Sequence, residues 1–182
     1  MTAANKKDLK YLEGSIRSIR DFPKTGIIFR DVTTLFKNAR ALKKAADMIA
    51  AEYKNKKIDK VVAVEARGFI LGAIIAYKLG AGLVLVRKKG KLPCKTISAS
   101  YSLEYGTDTL YMHADGLLPG EKILIVDDLL ATGGTVSAVV KLVNKLKAGI
   151  VGISFLIELV DLKGRKKLGG YPVSSLVRFE GE

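Results

Sequence analysis

The chain has 182 residues, and its 31 lysines and arginines outnumber 18 acidic residues to give a net charge of +13. Apolar residues make up 48% of the chain and charged residues 27%, which excludes a disordered polymer and indicates an ordinary globular protein. No run approaches the roughly 20 apolar residues that a membrane span requires, so we expect no membrane partner.

The N-terminal half contains two helical patterns followed by a strand and a third helix. Apolar residues at helical spacing predict a helix over 6–20, which Pro23 and its neighbours end, and residues 23–31 follow as a loop or short strand. Asn38 is a suitable N-cap for a second helix. An apolar strand at 61–64 then leads into a helix at 68–79, closed by a glycine.

The C-terminal half repeats the alternation of strand and helix. Its predicted elements are a strand at 83–86, a Ser-, Thr- and Tyr-rich hairpin at 95–113 that projects from the sheet, a strand at 122–126, a helix at about 134–147, a strand at 150–160 and a short last strand at 172–180. Such alternation predicts an α/β fold, a single domain over 1–182 with a mostly parallel, twisted sheet and helices on both faces.

Three polar loops follow strands of this sheet, and ligands bind at that edge of open α/β sheets. The loops are EARG after 61–64, RKKGKLP after 83–86 and DDLLATGGT after 122–126. The ATGGT residues open a helix, whose free N–H groups and positive dipole end suit a phosphate, although they also suit an ordinary capped helix start. Asp127 and Asp128, the latter expected as a surface carboxylate, could hold two sugar hydroxyls, although acids also commonly cap turns.

The combination of apolar strand, Asp-Asp and A-T-G-G-T resembles the phosphoribosyl pyrophosphate signature of the type I phosphoribosyltransferases. DFPKTGIIFRD, VEARGF, VRKKGKLP, SYSLEYG and VDDLLATGGT resemble segments of the adenine-using members of that family, in the same order. The resemblance runs from about Ile16 to the last strand. It implies transfer of a 5-phosphoribosyl group from phosphoribosyl pyrophosphate to adenine, with AMP and pyrophosphate as products, in purine salvage.

The same resemblance implies a role for each site residue. The ribose-phosphate group is Asp127, Asp128, Ala131, Thr132, Gly133, Gly134 and Thr135. The pyrophosphate group is Glu65, Ala66, Arg67, Arg87, Lys88 and Lys91, the last three in a basic loop that could act across a dimer interface. The adenine group is Ile28, Phe29 and Arg30, with Phe29 stacked on the base and backbone groups around the other two reading its edge.

The family pattern also implies a moving lid and a particular backbone geometry. Glu104 would be catalytic together with Arg67, handling a proton on adenine, and Tyr105 would accompany it on a hairpin lid at about 95–113. An N-terminal hood would cover about 1–36. We expect a cis peptide between Glu65 and Ala66. Mg²⁺ would arrive on the phosphoribosyl pyrophosphate, with no metal held directly by the protein, and the chain would form a homodimer.

Two other functions remain open at this point. The same fold could act on hypoxanthine, guanine or xanthine, although the FPKTGIIFRD segment argues for adenine. The high positive charge would also fit a nucleic-acid-binding regulator, but no residues are left over for a reading element, so we expect no nucleic-acid partner. A start without the apolar core of a signal peptide and a single cysteine, Cys94, predict a cytoplasmic protein.

Overall fold

The computed structural model describes residues 3–102 and 106–181. Its α-helices are Ala3–Gly14 (α1), Thr33–Phe36 (α2), Ala39–Tyr53 (α3), Gly68–Leu79 (α4) and Gly134–Lys145 (α5). Its strands are Arg17–Arg20 (β1), Ile28–Asp31 (β2), Lys60–Val64 (β3), Gly82–Lys88 (β4), Thr96–Ser102 (β5), Thr107–His113 (β6), Lys122–Leu130 (β7), Gly149–Leu159 (β8) and Val173–Phe179 (β9). Two short 3-10 helices, Val160–Leu162 and Gly164–Leu168, connect β8 to β9.

The main sheet has seven strands in the order β5-β6-β4-β3-β7-β8-β9. The pairs from β4 through β9 are parallel, and the hairpin of β5 and β6 adds two antiparallel strands at one edge. A separate antiparallel pair, β1 and β2, lies in the N-terminal segment. The predicted α/β class with a mostly parallel sheet is confirmed.

Helices cover both faces of this sheet because its central strands are apolar on both sides. In β7, Ile123 and Ile125 pack on the face that carries α5, whereas Leu124 and Val126 pack on the face that carries α1, α3 and α4. Successive side chains of a strand point to opposite faces, so a continuous apolar run signals burial on both sides. The helices on both faces were predicted correctly.

Two predicted helix ends match the structure because each has a residue suited to it. The side chain of Asn38 accepts hydrogen bonds from the backbone N–H groups of Arg40 and Ala41 at the start of α3. Gly80 ends α4 in the left-handed conformation with φ of 63°, which glycine adopts at little steric cost.

The predicted helix over 6–20 is wrong in its last turn. Helix α1 ends at Gly14, and Arg17–Arg20 instead forms strand β1, paired residue by residue with Ile28–Asp31. The apolar spacing continues past Gly14 because Ile16 also packs into the core, although it does so from the turn between the helix and the strand. The buried apolar face of α1 therefore continues into the turn that follows the helix.

The predicted hairpin exists as the antiparallel pair of β5 and β6. Strand β6 pairs with β4 through Arg87 and Lys88, so the hairpin extends the sheet at its edge. Strand β4 therefore runs two residues beyond the predicted 83–86, and Arg87 and Lys88 lie in the strand, not in a loop. The sequence predicts a shorter strand because charged residues are uncommon in strands. Here the partner strand β6 keeps the backbone of Arg87 and Lys88 extended.

Candidate functional site

A cavity of about 480 Å³ opens where β3 and β7 end and α5 begins. It brings together most of the predicted site residues. Those that line it are Glu65, Ala66, Arg67, Lys88, Asp127, Asp128, Ala131, Thr132, Gly133, Gly134 and Thr135. The loops after two neighbouring parallel strands meet at one sheet edge, as the topology requires.

The two aspartates lie inside strand β7, which continues to Leu130 and not to 126 as predicted. Pairing of β7 with β3 ends at Val126, but pairing with β8 continues through Asp127 to Leu130. The strand therefore keeps a partner on one side while its other side faces the cavity. A polar pair after an apolar run predicts the end of a strand, but pairing with β8 keeps the backbone extended beyond Val126.

Both aspartates are buried, which corrects the expectation of a surface carboxylate at Asp128. Asp127 is 8% exposed and Asp128 is 6% exposed. Burial raises the pKa of Asp127 well above its ordinary value, and repulsion from Asp128 adds to that rise. A hydrogen bond of 2.9 Å from the backbone N–H of Asp128 to Asp127 Oδ1 partly offsets it.

Arg67 supplies the charge that faces Asp128. Its Nε lies 2.6 Å from Asp128 Oδ2 in an ion pair. That oxygen nevertheless accepts no hydrogen bond of good geometry from any residue that the structure describes. A buried carboxylate oxygen without a donor is costly in free energy, so a ligand that supplies a donor there would be stabilising.

Helix α4 starts directly against the aspartate pair. A Cβ at Gly68 would lie only 2.6 Å from Asp127 Oδ1, so only glycine permits this approach. The peptide between Glu65 and Ala66, just before the helix, is cis, as expected from the family pattern. Residues 65–67 all line the cavity.

The A-T-G-G-T segment forms a cradle at the start of α5, which we define as residues 131–135. Gly133 adopts φ of 77° and immediately precedes Gly134, the first residue of the helix. The helix therefore directs its unpaired N–H groups and its positive dipole end into the cavity. This arrangement suits an anion with several acceptor oxygens, such as a phosphate.

The three cations of the predicted basic loop have different positions. Lys88 lines the cavity, where its Nζ lies 3.1 Å from Asp108 Oδ2, and that hydrogen bond raises the pKa of Lys88. Arg87 and Lys91 do not line it. Arg87 Nε donates to Glu65 Oε2 at 2.9 Å, and its Nη1 donates to the carbonyl of Lys91 at 3.0 Å.

The residues assigned to adenine lie on β2, outside the cavity lining. The Phe29 ring packs edge-on against Phe22, and its centroid lies 5.8 Å from Cζ of Arg67. Phe29 therefore borders the site through Arg67. The side chain of Arg30 points elsewhere, since its Cζ lies 4.0 Å from the ring centroid of Phe179 and its Nη1 donates to Ser18 Oγ. Glu104 and Tyr105 lie outside the described residues.

Comparison with known proteins supports the family resemblance. A family model for the phosphoribosyl transferase domain matches residues 31–175. The adenine phosphoribosyltransferase of Brachyspira hyodysenteriae is 56% identical over 168 residues, which is 92% of this chain and 99% of that protein. The chain belongs to the adenine phosphoribosyltransferase family.

Solved structures of this family share the fold. The adenine phosphoribosyltransferase of Thermoanaerobacter pseudethanolicus has a TM-score of 0.91 and 51% identity, covering 94% of this chain and 99% of that one. The Saccharomyces cerevisiae enzyme, crystallised with an imino-altritol bisphosphate and adenine, has a TM-score of 0.89 and 36% identity, covering 94% of this chain and 99% of that one.

The sequence did not indicate two residues at this cavity. Tyr101 lines the cavity and donates to Asp108 Oδ2 at 3.3 Å, and burial raises the pKa of its hydroxyl. Its alternation with Ile97 and Ala99 along β5 was an available signal, because all three pack on the α5 face. Gly164 lies behind the cradle, where its carbonyl oxygen would be 2.5 Å from a Cβ at Gly133. Its distance in sequence left no signal.

Two properties of the described ranges, 3–102 and 106–181, concern metals and membranes. Within them, no group of three or more His, Cys, Asp or Glu side chains is placed to hold a metal ion. No helix in the same ranges has the length and apolar character to cross a bilayer.

Proposed function

We propose that this cavity transfers the 5-phosphoribosyl group of phosphoribosyl pyrophosphate to adenine, forming AMP and pyrophosphate in purine salvage. The observation that carries the proposal is one cavity that joins a buried aspartate pair to a glycine-lined helix start. A sugar phosphate has hydroxyl donors at one end and an anion at the other, so it matches both parts. The relatives named above carry the same activity in their names.

The ribose phosphate would lie along β7 and the start of α5. Asp127 and Asp128 would accept hydrogen bonds from the ribose hydroxyls, and the 5-phosphate would rest in the cradle of residues 131–135. Helix dipole and backbone N–H groups stabilise a phosphate there without a nearby lysine. The hydroxyls of Thr132 and Thr135 in the cradle can donate further hydrogen bonds.

The diphosphate would lie against residues 65–67 and Lys88. Backbone N–H groups of that loop and the planar guanidinium of Arg67 suit phosphate oxygens. Arg67 forms an ion pair with Asp128 Oδ2, an oxygen that accepts no hydrogen bond from the described part of the chain. We propose that Arg67 turns to the diphosphate when substrate binds, which leaves that oxygen free for a ribose hydroxyl. Arg87 would hold Glu65 in place, and Lys91 would add positive charge at the rim.

In the chemical step, positive charge develops at C1 of the ribose as the diphosphate leaves. The bond from C1 to the diphosphate oxygen breaks, the leaving group takes the electron pair, and a ring nitrogen of adenine forms the new bond to C1. Cationic side chains close to the leaving group stabilise its developing charge. The ring nitrogen then loses its proton, and the family pattern assigns Glu104 as the group that accepts it.

Adenine and Mg²⁺ complete the proposed complex. Phe29 would stack on the base, with backbone groups around Ile28 and Arg30 at its edge, and residues up to about 36 would act as a hood. Mg²⁺ would arrive on the diphosphate and neutralise part of its charge. Mg²⁺ commonly keeps several of its waters and binds substrate phosphates, so no protein side chain is assigned to it.

A homodimer fits the outer surface of α4. This helix is apolar nearly all round, and Ile70 and Tyr77, two turns apart on one side, are 42% and 87% exposed. Leu83 at the start of the next strand is also exposed. An apolar surface of this kind favours burial against a second copy.

A reducing, cytoplasmic setting fits the single cysteine, Cys94, which is exposed.

The proposed function is tested by incubating the purified chain with phosphoribosyl pyrophosphate, Mg²⁺ and each purine base in turn. We expect AMP to form from adenine, with much slower turnover of hypoxanthine, guanine and xanthine. Product separation by chromatography measures each nucleotide, and omission of the base serves as the control for simple hydrolysis. Turnover of guanine without turnover of adenine would contradict the choice of base.

A further inference from the structure

An ion-pair cluster around one buried carboxylate lies outside the cavity, and the proposed function does not use it. Glu158 on β8 is 4% exposed. Arg165 holds both of its carboxylate oxygens, with Nε 2.6 Å from Oε1 and Nη2 2.7 Å from Oε2, and Ser175 donates to Oε2. A bidentate arginine–carboxylate pair fixes the relative orientation of the two side chains as well as pairing their charges. Burial alone would raise the pKa of Glu158, but these hydrogen bonds lower it below its ordinary value.

The same arginine is also tied to the backbone on its other side. Arg165 Nη1 donates to the carbonyl of Val173 at 2.7 Å, and Nη2 donates to Ser175 Oγ at 3.0 Å. One side chain therefore joins the short helix Gly164–Leu168 to both β8 and β9. The position of its neighbour Gly164 is fixed by these contacts because only one peptide separates the two residues.

Gly164 packs directly on the cradle. A Cβ placed on it would lie 3.0 Å from the backbone nitrogen of Gly133 and 2.9 Å from Leu130 Cδ1, and it would overlap the carbonyl oxygen of Ala131. The contact is reciprocal, since a Cβ on Gly133 would overlap the carbonyl oxygen of Gly164. Two glycine backbones in such close contact leave the cradle little room to move away from the cavity.

We infer that Arg165, paired with Glu158, is a positioning residue that holds Gly164 against the cradle and thereby sets the geometry of the 5-phosphate site. This inference rests on the proposed function, because the phosphate in the cradle is part of it. Arg165 touches no reacting atom and acts through the backbone of Gly164. Small displacements of a binding group reduce affinity strongly, even when the altered residue is remote.

The inference predicts a selective loss. In Arg165→Ala, we expect the affinity for ribose 5-phosphate to fall roughly tenfold. The affinity for pyrophosphate should change by less than about twofold, because the residues assigned to it, 65–67 and Lys88, are not part of the cradle on which Gly164 packs. Arg165→Lys keeps the charge but loses the bidentate geometry. It should therefore lose less affinity for ribose 5-phosphate than Arg165→Ala, again with little change for pyrophosphate. Isothermal titration calorimetry with each ligand measures the ratio.

Arg178→Ala is the matched control. Its Nε lies 3.6 Å from Glu158 Oε2, yet it is more exposed than Arg165 and is not next to Gly164. We expect both affinities to stay close to those of the unaltered chain. Equal weakening of both ligands in Arg165→Ala, or no change in either, would overturn the inference.

Hydrogen exchange separates this inference from the proposed function. Peptides covering 131–136 should exchange faster in Arg165→Ala without ligand, while peptides covering 65–70 keep their rate. Faster exchange at 131–136 supports the positioning role even if the unaltered chain binds no ribose 5-phosphate, an outcome that would overturn the proposed function instead. Unchanged exchange at 131–136 would contradict the positioning role whatever the ligand data show.

Discussion

The floor and the rim of the cavity are held in place by different forces. The floor, residues 127–135, consists of buried carboxylates and a backbone cradle that packs on Gly164. The rim, which we define as Lys88, Tyr101 and Asp108, consists of polar side chains that pair with one another near solvent. The side chain of Lys88 is 58% exposed in its ion pair, whereas the side chain of Asp128 is 8% exposed in its own.

This difference indicates which part of the site can rearrange. Exposed ion pairs contribute about 0–1 kcal/mol, so Lys88 can exchange Asp108 for a phosphate at little cost. The floor has no such freedom, because moving it would separate packed backbones and expose buried groups. The floor is therefore shaped before substrate binds, and the rim takes its final arrangement with substrate.

The largest effect is expected at the floor from Asp128→Asn. The amide keeps the shape but removes the charge that faces Arg67 and one acceptor for the ribose. We expect kcat/KM for phosphoribosyl pyrophosphate to fall about 100-fold, in line with the loss of a hydrogen bond to a charged group. Steady-state AMP formation measures it. Asp115→Asn, at an exposed acid outside the cavity, is the control and should keep full activity. Normal kinetics in Asp128→Asn would rule out the ribose assignment.

Gly133→Ala tests whether close backbone packing shapes the cradle. Alanine would meet both a strained φ and the carbonyl oxygen of Gly164, so we expect a loss of about 2–3 kcal/mol in stability and a roughly tenfold loss in kcat/KM. Gly170→Ala is matched, because φ there is 92° but nothing lies within 4 Å of the added Cβ. It should lose only the strain energy, about 1–2 kcal/mol, with unchanged kinetics. Equal effects of the two variants on activity would contradict the packing argument.

Replacing the buried carboxyl of Asp127 by an amide should stabilise the folded chain, and the size of the gain should depend on pH. Its pKa is raised by burial and by Asp128, so the folded chain binds that proton more tightly than the unfolded chain does. Its contribution to stability is therefore complete below the unfolded value of about 3.8 and is lost as pH rises through the folded pKa. Asp127→Asn should raise Tm at pH 8 by roughly 2–4 °C, which is about 1 kcal/mol at this size, and the gain should shrink toward pH 5.

Asp31 provides a control of opposite sign for that experiment. Hydrogen bonds from Thr33, followed by Arg17, lower the pKa of this buried carboxyl to about 2. Its stabilising contribution is present above the ordinary value of 3.8 and is lost as pH falls through about 2. Asp31→Asn should therefore lower Tm at pH 8, as thermal unfolding followed by circular dichroism would show. A lower Tm for Asp127→Asn as well would show that its charge is compensated in the folded chain.

Most of the fold could be predicted because its signals are local. Apolar runs bounded by glycine and proline located the core strands, and Asn38 and Gly80 marked helix ends. The errors occurred where a distant partner decides the backbone. Arg17–Arg20 becomes a strand because β2 lies beside it, and β7 continues past Val126 because β8 does.

The site shows the same division. Asp127, Asp128 and the cradle are contiguous in sequence, so their shared chemistry was visible, whereas their burial depends on strands and helices packed from elsewhere. Gly164 and Tyr101 reach the cavity only through tertiary packing. The family resemblance implies a pyrophosphate role for Arg87, but its side chain donates to Glu65 and does not line the cavity. The relative positions of β3 and β4 determine this contact.

The smallest effect is expected at the rim from Asp108→Asn. Removing this carboxylate leaves Lys88 without its ion-pair partner, so phosphoribosyl pyrophosphate no longer competes with the protein for that cation. We expect KM for phosphoribosyl pyrophosphate to fall by about two- to threefold with little change in kcat, because an exposed ion pair is worth less than about 1 kcal/mol. The difference should diminish at high salt, where such pairs are screened. Asp47→Asn removes a comparable carboxylate that pairs with Lys43 and Lys78 far from the cavity, and it should leave KM unchanged. A rise in KM for Asp108→Asn would mean that Asp108 orients Lys88 toward the substrate, and the rim would then be as fixed before binding as the floor.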